Sequence, residues 1–232
     1  MTRQGRCRQG VGGYPIFDLI HRQEIDFFLF LGDTIYADNP CPSPPNEPGA
    51  EFSATTLQTY RERHRYQRGA EALQRFLKTV PVYVIWDDHE VRDNFSGPFD
   101  EQMPDGRQAF REYWPIASPE EDPHRMYRSI RYGADLELFI LDTRQYRSLN
   151  EGHEPTGTGF GRERQLIVDA ILEQTIKNVV FLAGDVHWVQ ANAYDPDQDG
   201  IIDFHEYMVG PLSARPGRLT AASDELHPMR LV

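Results

Sequence analysis

Three short apolar runs in this chain each stop on acidic or acidic and histidine residues, and that recurrence constrains the fold most tightly. The first runs from Ile25 to Leu31 and breaks into Gly32-Asp33-Thr34-Ile35-Tyr36. The second, Val80 to Trp86, runs into Asp87-Asp88-His89-Glu90. The third, Asn178 to Gly184, runs into Asp185-Val186-His187. Runs this short, bounded by glycine or charge, read as strands buried on both faces. At the carboxyl ends of parallel strands the next side chains converge on a shared crevice. Gly32 permits a sharp turn, Asp33 follows at once, and Tyr36 is close enough to reach the same point. A carboxylate and a phenol both bind as oxygen anions, which suits a hard trivalent cation. A single strand ending in Asp is an ordinary turn. Three such ends with metal-ligand chemistry are a much stronger signal.

The segments between the runs supply helices. Pro15 to Arg22 reads as a short helix with proline early. Residues 39–54 form a proline-rich loop, with five prolines between Asn39 and Gly49. Thr55 to Gly69 reads as a helix with a basic stretch, and Ala72, Leu73, Phe76 and Leu77 fall at helical spacing. Val91 to Gly106 reads as a loop, before a helix marked by Ala109, Phe110, Tyr113 and Trp114 and stopped by Pro115. Met126 to Tyr132 and Leu136 to Asp142, around Gly133-Ala134-Asp135, read as a hairpin whose second strand is buried. Leu166, Ile167, Ala170 and Ile171 mark an amphipathic helix before the third run. Alternating strands and helices of this kind indicate a layered α/β fold in one domain over residues 1–232.

The chain has 232 residues, of which 39% are hydrophobic and 12% aromatic, enough to fill a core. A net charge of −12 argues against a nucleic-acid or membrane-surface platform. It leaves room for a small anionic substrate, because bound cations invert a local field. No apolar run is long enough to span a bilayer, and residues 1–6 lack the apolar stretch of a secretory signal. Two cysteines, Cys7 and Cys41, are too few for a disulfide framework. A free Cys41 ranks ahead of a Cys7–Cys41 pair.

Residues 195–206 match the twelve-residue calcium loop: Asp195, Asp197, Asp199 and Asp203 at alternate positions, Gly200 at the turn and Glu206 at the end. The flanks look extended rather than helical, so the loop is not an EF-hand. The expected role is a structural Ca²⁺ clamp on a hairpin, apart from the crevice; an acidic turn with no ion is the alternative.

Taken together, the three blocks resemble the metallophosphoesterase superfamily, specifically its alkaline phosphatase D (PhoD-like) family. Gly32-Asp33-Thr34-Ile35-Tyr36 matches the Gly-Asp-x-x-Tyr motif shared with purple acid phosphatases. Asp87-Asp88-His89-Glu90 and Gly184-Asp185-Val186-His187 resemble the second and third blocks, and Leu141-Asp142-Thr143-Arg144 is a minor similarity. The resemblance implies a four-layer αββα sandwich of mixed sheets and a centre of two or three metals, Fe³⁺ with Ca²⁺, that hydrolyses phosphate mono- or diesters. Carried over, Asp33 bridges the metals, Tyr36 and Cys7 bind the ferric ion, and Asp88 takes the place of the superfamily asparagine. Asp185 and His187 complete the shell, and His89 sits over the phosphoryl group. Arg144 holds either a buried carboxylate or a phosphate oxygen. The family is usually exported, and both ends of this chain look shorter than the family pattern. The implied partner is a small phosphoester.

The expected chemistry is attack of a hydroxide on phosphorus, with His89, held near Asp87 or Glu90, stabilising the developing charge or protonating the leaving group, and with Asp88 and Arg144 beside it in the catalytic set. Two competing readings are a non-enzymatic calcium-binding protein built on residues 195–206, and an inactive remnant of the phosphatase fold.

Overall fold

The structure is a computed structural model that describes residues 7–10, 12–148, 160–219 and 226–232. The polar stretch before Cys7 lies outside the described residues. The chain divides into two compact units, Met1–Tyr146 and Arg147–Val232, where the sequence led us to expect one domain. No helix among the described residues is long and apolar enough to cross a membrane.

The first unit carries α1 (Ile16–His21), β1 (Phe28–Leu31), α2 (Leu57–Arg68), α3 (Glu71–Thr79), β2 (Val82–Ile85), α4 (Met103–Tyr113), β3 (Arg128–Tyr132) and β4 (Leu136–Ile140). Local chemistry sets the helix ends. Pro15, at φ −65°, opens α1. Thr56 caps α2 by accepting from the Thr59 amide, while the Thr59 hydroxyl accepts from the Thr56 amide, a reciprocal capping box. Helix α4 starts earlier than its apolar spacing predicts, because Pro104 is well suited to a first turn. A short 3-10 turn, Gly97–Phe99, lies in the segment expected to be a plain loop.

Strands β1 and β2 pair in parallel, with Phe28 opposite Val82 and Leu31 opposite Ile85. Helices α1 and α3 meet β1 through aromatic side chains: the rings of Phe28 and Phe76 sit edge to face at 5.3 Å, and those of Phe17 and Phe76 are tilted by 36° at 5.3 Å. Phe28 packs against the main buried cluster, to which Phe17, Phe76, Phe30, Trp86 and Phe110 belong. Each such ring, fully buried, contributes on the order of 2 kcal/mol. The expectation that these strands are buried on both faces is corrected. Phe30 is buried, but Phe28, Leu29 and Leu31 are only half-buried. Likewise β4 pairs only with β3, so Ile140 packs against the core while Phe139 on the other face is 71% exposed.

The second unit holds α5 (Gly161–Glu173) against a mixed sheet in the order β5-β7-β6-β8. These strands are Val179–Ala183, Gln190–Tyr194 (β6), Phe204–Met208 (β7) and Pro228–Arg230 (β8). Strands β5 and β7 run parallel; β6 runs antiparallel to β7 and to β8. Val168 and Ile171 of α5 pack on Phe204. Alternate β5 residues, Val180 and Leu182, lie open, against the expectation of a strand buried on both sides. Strand β8 was not legible in the sequence: three residues carry no period, and pairing with β6 defines it.

His64 of α2 is almost wholly buried, its ring stacked on Tyr113 at 4.7 Å. Burial pushes its pKa down to about 3, and the Arg68 charge adds to the shift. The unfolded chain takes up this proton below about pH 6.5 while the folded chain refuses it. Stability present above that pH is therefore lost as pH falls toward the folded value. His64→Leu should flatten this acid limb, which in the parent contributes a slope of at most about 1.4 kcal/mol per pH unit. Urea unfolding of both proteins between neutral and acid pH checks it; an unchanged slope would contradict the assignment.

Candidate metal centre

In-register parallel pairing brings the carboxyl ends of β1 and β2 abreast, so the turn after Leu31 lies beside the turn after Ile85. The approach is close enough to require glycine. Gly32 has φ +103°, and a Cβ there would sit 2.3 Å from the Cβ of Asp87. Asp33 follows at φ 51°, a left-handed conformation uncommon outside glycine.

One fully buried carboxylate ties the two turns together. Oε1 of Glu90 accepts from the Thr34 amide at 2.5 Å and from the Thr34 hydroxyl at 2.7 Å. Its Oε2 accepts from the amides of Asp33 at 3.2 Å and Asp87 at 2.9 Å. Burial and the Asp33 charge push the Glu90 pKa up, while the donors of Thr34 and Asp87 pull the other way. Four donors converging on two oxygens are what an ionised carboxylate satisfies.

On this frame Asp33, Asp88 and His89 each offer a ligand atom, all within 4.8 Å of one another. Asp88 accepts from the amides of His89 at 2.9 Å and Asn94 at 2.7 Å. Burial raises its pKa, against the pull of Arg144 and His89. The Nδ1 of His89 lies 2.8 Å from Asp38 Oδ1. Donation to that carboxylate fixes the tautomer and leaves Nε2 as the ring atom offered to a ligand or proton. Burial disfavours a charged His89, but the bond to Asp38 and the carboxylates of Asp33 and Asp88 outweigh it and raise its pKa to about 9. The Tyr36 ring packs on the imidazole at 4.4 Å. Arg63, buried in α2, donates to the carbonyls of Tyr36, Asn39 and Ala50 and so pins the loop carrying Tyr36 and Asp38.

Two expectations are corrected. Cys7 forms a disulfide with Cys41, with Cα atoms 5.5 Å apart. A sulfur in that bond has no thiolate to give, so Cys7 is not a ligand here and Cys41 is not free. The short Cys7 segment runs beside the proline-rich loop, where the Glu47 amide donates to the Arg8 carbonyl, and beside α2, where the Tyr66 hydroxyl bonds to the Arg8 backbone; this juxtaposition is invisible in the spacing. Arg144 is 4% exposed and its Nε donates to Asp87 at 2.5 Å. It holds a buried carboxylate, one of the two roles expected for it.

The remaining predicted ligands, Asp185 and His187, belong to the second unit and are described within it. They occupy the turn after β5 at φ 68° and 60°, and Nδ1 of His187 donates to the Arg215 carbonyl at 3.0 Å. In the calcium-type loop, Asp195, Asp197 and Asp199 offer atoms within 4.8 Å of one another. The pKa of Asp203 is raised by burial and by the charges of those three aspartates. The extended flanks form the β6–β7 hairpin, as expected. Glu206 departs from the loop pattern: it lies in β7, and its Oε2 accepts from Tyr194 at 2.6 Å and Asn192 at 3.1 Å. The sequence gives no sign of Asp38's part, and it offers Asp87 and Glu90 only as members of the second block. The adjacent block Asp87-Asp88-His89-Glu90 was the signal for two of them.

The carboxylates of Asp33 and Asp88, two oxygen donors with the His89 ring beside them, fit a hard cation. The model of the PhoD-like phosphatase family matches residues 7–158 and 154–227, and the chain belongs to that family. Alkaline phosphatase D of Bacillus subtilis (strain 168) is 28% identical over 203 residues, covering 78% of this chain and 35% of the relative. The chain thus spans about a third of that protein's length. Among solved structures, PhoD matches with a TM-score of 0.71 at 21% identity over 91% of this chain and 57% of that one. Purple acid phosphatase PPD1 from yellow lupin (Lupinus luteus) seeds matches with a TM-score of 0.51 at 12% identity over 96% and 43%. These likenesses establish the metallophosphoesterase-like α/β fold.

Replacing Glu90 with Gln would turn an amide NH₂ toward amides that only donate. We expect Glu90→Gln to cost at least about 2 kcal/mol of stability, read as a lower midpoint in urea unfolding. A midpoint equal to the parent's would show that this carboxylate does not tie the turns.

Proposed function

We propose that the chain hydrolyses phosphate esters, monoesters or diesters, at a metal centre held by Asp33 and Asp88, with His89 beside it over the phosphoryl group. The observation that carries this is the meeting of those three side chains at two parallel strand ends, in a member of the PhoD-like phosphatase family. Tyr36, Asp185 and His187 are proposed as further ligands, and Fe³⁺ with Ca²⁺ as the metal set. Bound cations would polarise the phosphoryl oxygens and acidify a water.

The chain's own residues do the rest. Asp33 and Asp88 supply negative charge at fixed positions, so that no reorganisation is needed when a cation and a phosphoryl group share the site. Asp38 holds His89 by Nδ1, so Nε2 can hydrogen-bond a phosphoryl oxygen or pass a proton to the leaving alkoxide. Arg144 neutralises Asp87 and lets a third carboxylate lie beside the two ligands. In the second unit, the three clustered aspartates of residues 195–199 support a separate structural Ca²⁺. That cluster is also the observation behind the second reading, calcium binding without catalysis.

Asp33→Asn should lower phosphoesterase activity by at least about 100-fold and lower the bound transition metal, with little change in the circular dichroism spectrum. Elemental analysis of protein purified without chelator, with mono- and diester assays, checks both. Parental turnover in Asp33→Asn, or calcium as the sole metal in an inactive parent, would defeat the proposal.

A further inference from the structure

The turn after β4 is built on one buried carboxylate. Asp142 is 7% exposed, and its Oδ1 accepts three N–H groups. These are the Trp86 indole at 2.9 Å and the amides of Arg144 at 3.1 Å and Gln145 at 2.9 Å. Trp86 is the residue before Asp87, so one oxygen grips both the end of β2 and the turn that delivers Arg144. Gln145 is held in turn by Arg107, whose Nη1 donates to its Oε1 at 2.8 Å.

The contacts continue from Arg144 to the centre. Its Nε meets Asp87 Oδ1 at 2.5 Å and its Nη2 lies 3.8 Å from Asp88 Oδ2. Asp87 is confined on its other side, since its Cβ already crowds the space where a side chain at Gly32 would begin. The guanidinium thus adds a third contact to the Asp88 carboxylate, at the Oδ2 that also accepts from the Asn94 amide, while Oδ1 accepts from that of His89.

We propose that Asp142 is a positioning residue for the metal centre, acting through Arg144 to set the orientation of Asp87 and Asp88. This rests on the reading of Asp33 and Asp88 as metal ligands. Without Asp142 the turn at 142–145 loses three accepted bonds at once, and the rigid fork of Arg144 no longer meets Asp87 at a fixed angle. Groups that orient metal ligands in this way commonly change metal affinity by about 10- to 100-fold when removed.

The test is a Mn²⁺ titration of the full chain followed by the electron paramagnetic resonance of the free ion. Asp33→Asn gives the binding that belongs elsewhere, the 195–206 loop included. Asp142→Ala should weaken the Asp33-dependent Mn²⁺ affinity by about 10-fold, and Arg144→Met should do the same. The double variant should be no weaker than either single one, because the two act along one path. Asp142→Asn keeps an acceptor oxygen and should recover most of the affinity. Trp86→Phe removes one donor without touching the Arg144 turn; it should lower the melting temperature and leave the affinity at the parent value.

Parental affinity in Asp142→Ala or in Arg144→Met, losses that add in the double variant, or an equal loss in Trp86→Phe would each overturn the proposal. If the alanine variant does not fold, Arg144→Met decides by itself. If the parent shows no Asp33-dependent Mn²⁺ binding, the metal-centre reading fails first and takes this inference with it, an outcome distinct from a failure confined to Asp142.

Discussion

The carboxylate of Glu90 is the contact on which the rest of the first unit's site depends. Two turns, one after each of two parallel strands, would leave three backbone amides and a hydroxyl pointing into a buried space. Water cannot reach them, and each unmet donor would cost on the order of 1–3 kcal/mol. A single carboxylate answers all four. Because Glu90 lies in the same block as Asp88 and His89, forming this contact also brings those side chains beside Asp33. The stabilising interaction and the placement of candidate ligands are one event.

That arrangement gathers negative charge, and the first unit answers it in two ways. Asp87 and Asp88 face the buried guanidinium of Arg144, while Asp38 shares a hydrogen bond with His89. Burial makes each charge costly, so pairing and hydrogen bonding must both be good. The disposition of these pairs orients as much as it neutralises. Nδ1 of His89 is committed to Asp38, and Arg144 is committed to Asp87, which leaves Asp33, Asp88 and Nε2 of His89 as the groups presented together. Arg63 and the Cys7–Cys41 disulfide perform a neighbouring task, since both restrain the loop that carries Tyr36 and Asp38.

The second unit handles its acidic loop differently. Asp195 accepts from the amides of Asp199 and Gly200, and Asp199 from that of Ile201, so the aspartates fold their own turn. Gly200 takes φ +89° at its apex. Glu206, the residue the calcium pattern would place opposite, is the third residue of β7 and bonds to Tyr194 instead. A matching sequence pattern therefore yields three clustered carboxylates rather than a complete cage, because strand pairing claims the last position.

The sequence by itself determined the strand ends, the helices, the hairpins and the short list of candidate ligands. These depend on local periodicity, turn chemistry and adjacency, which a linear pattern records. It also carried the family, through three blocks in order. Only the tertiary structure decided which of those residues meet. Asp38 reaches His89 across 51 positions, Arg144 reaches Asp87 across 57, and Cys7 meets Cys41 rather than a metal across 34. Each of these choices rests on a register or a packing contact that is long-range along the chain, and a residue's own neighbours in sequence hold no information about it.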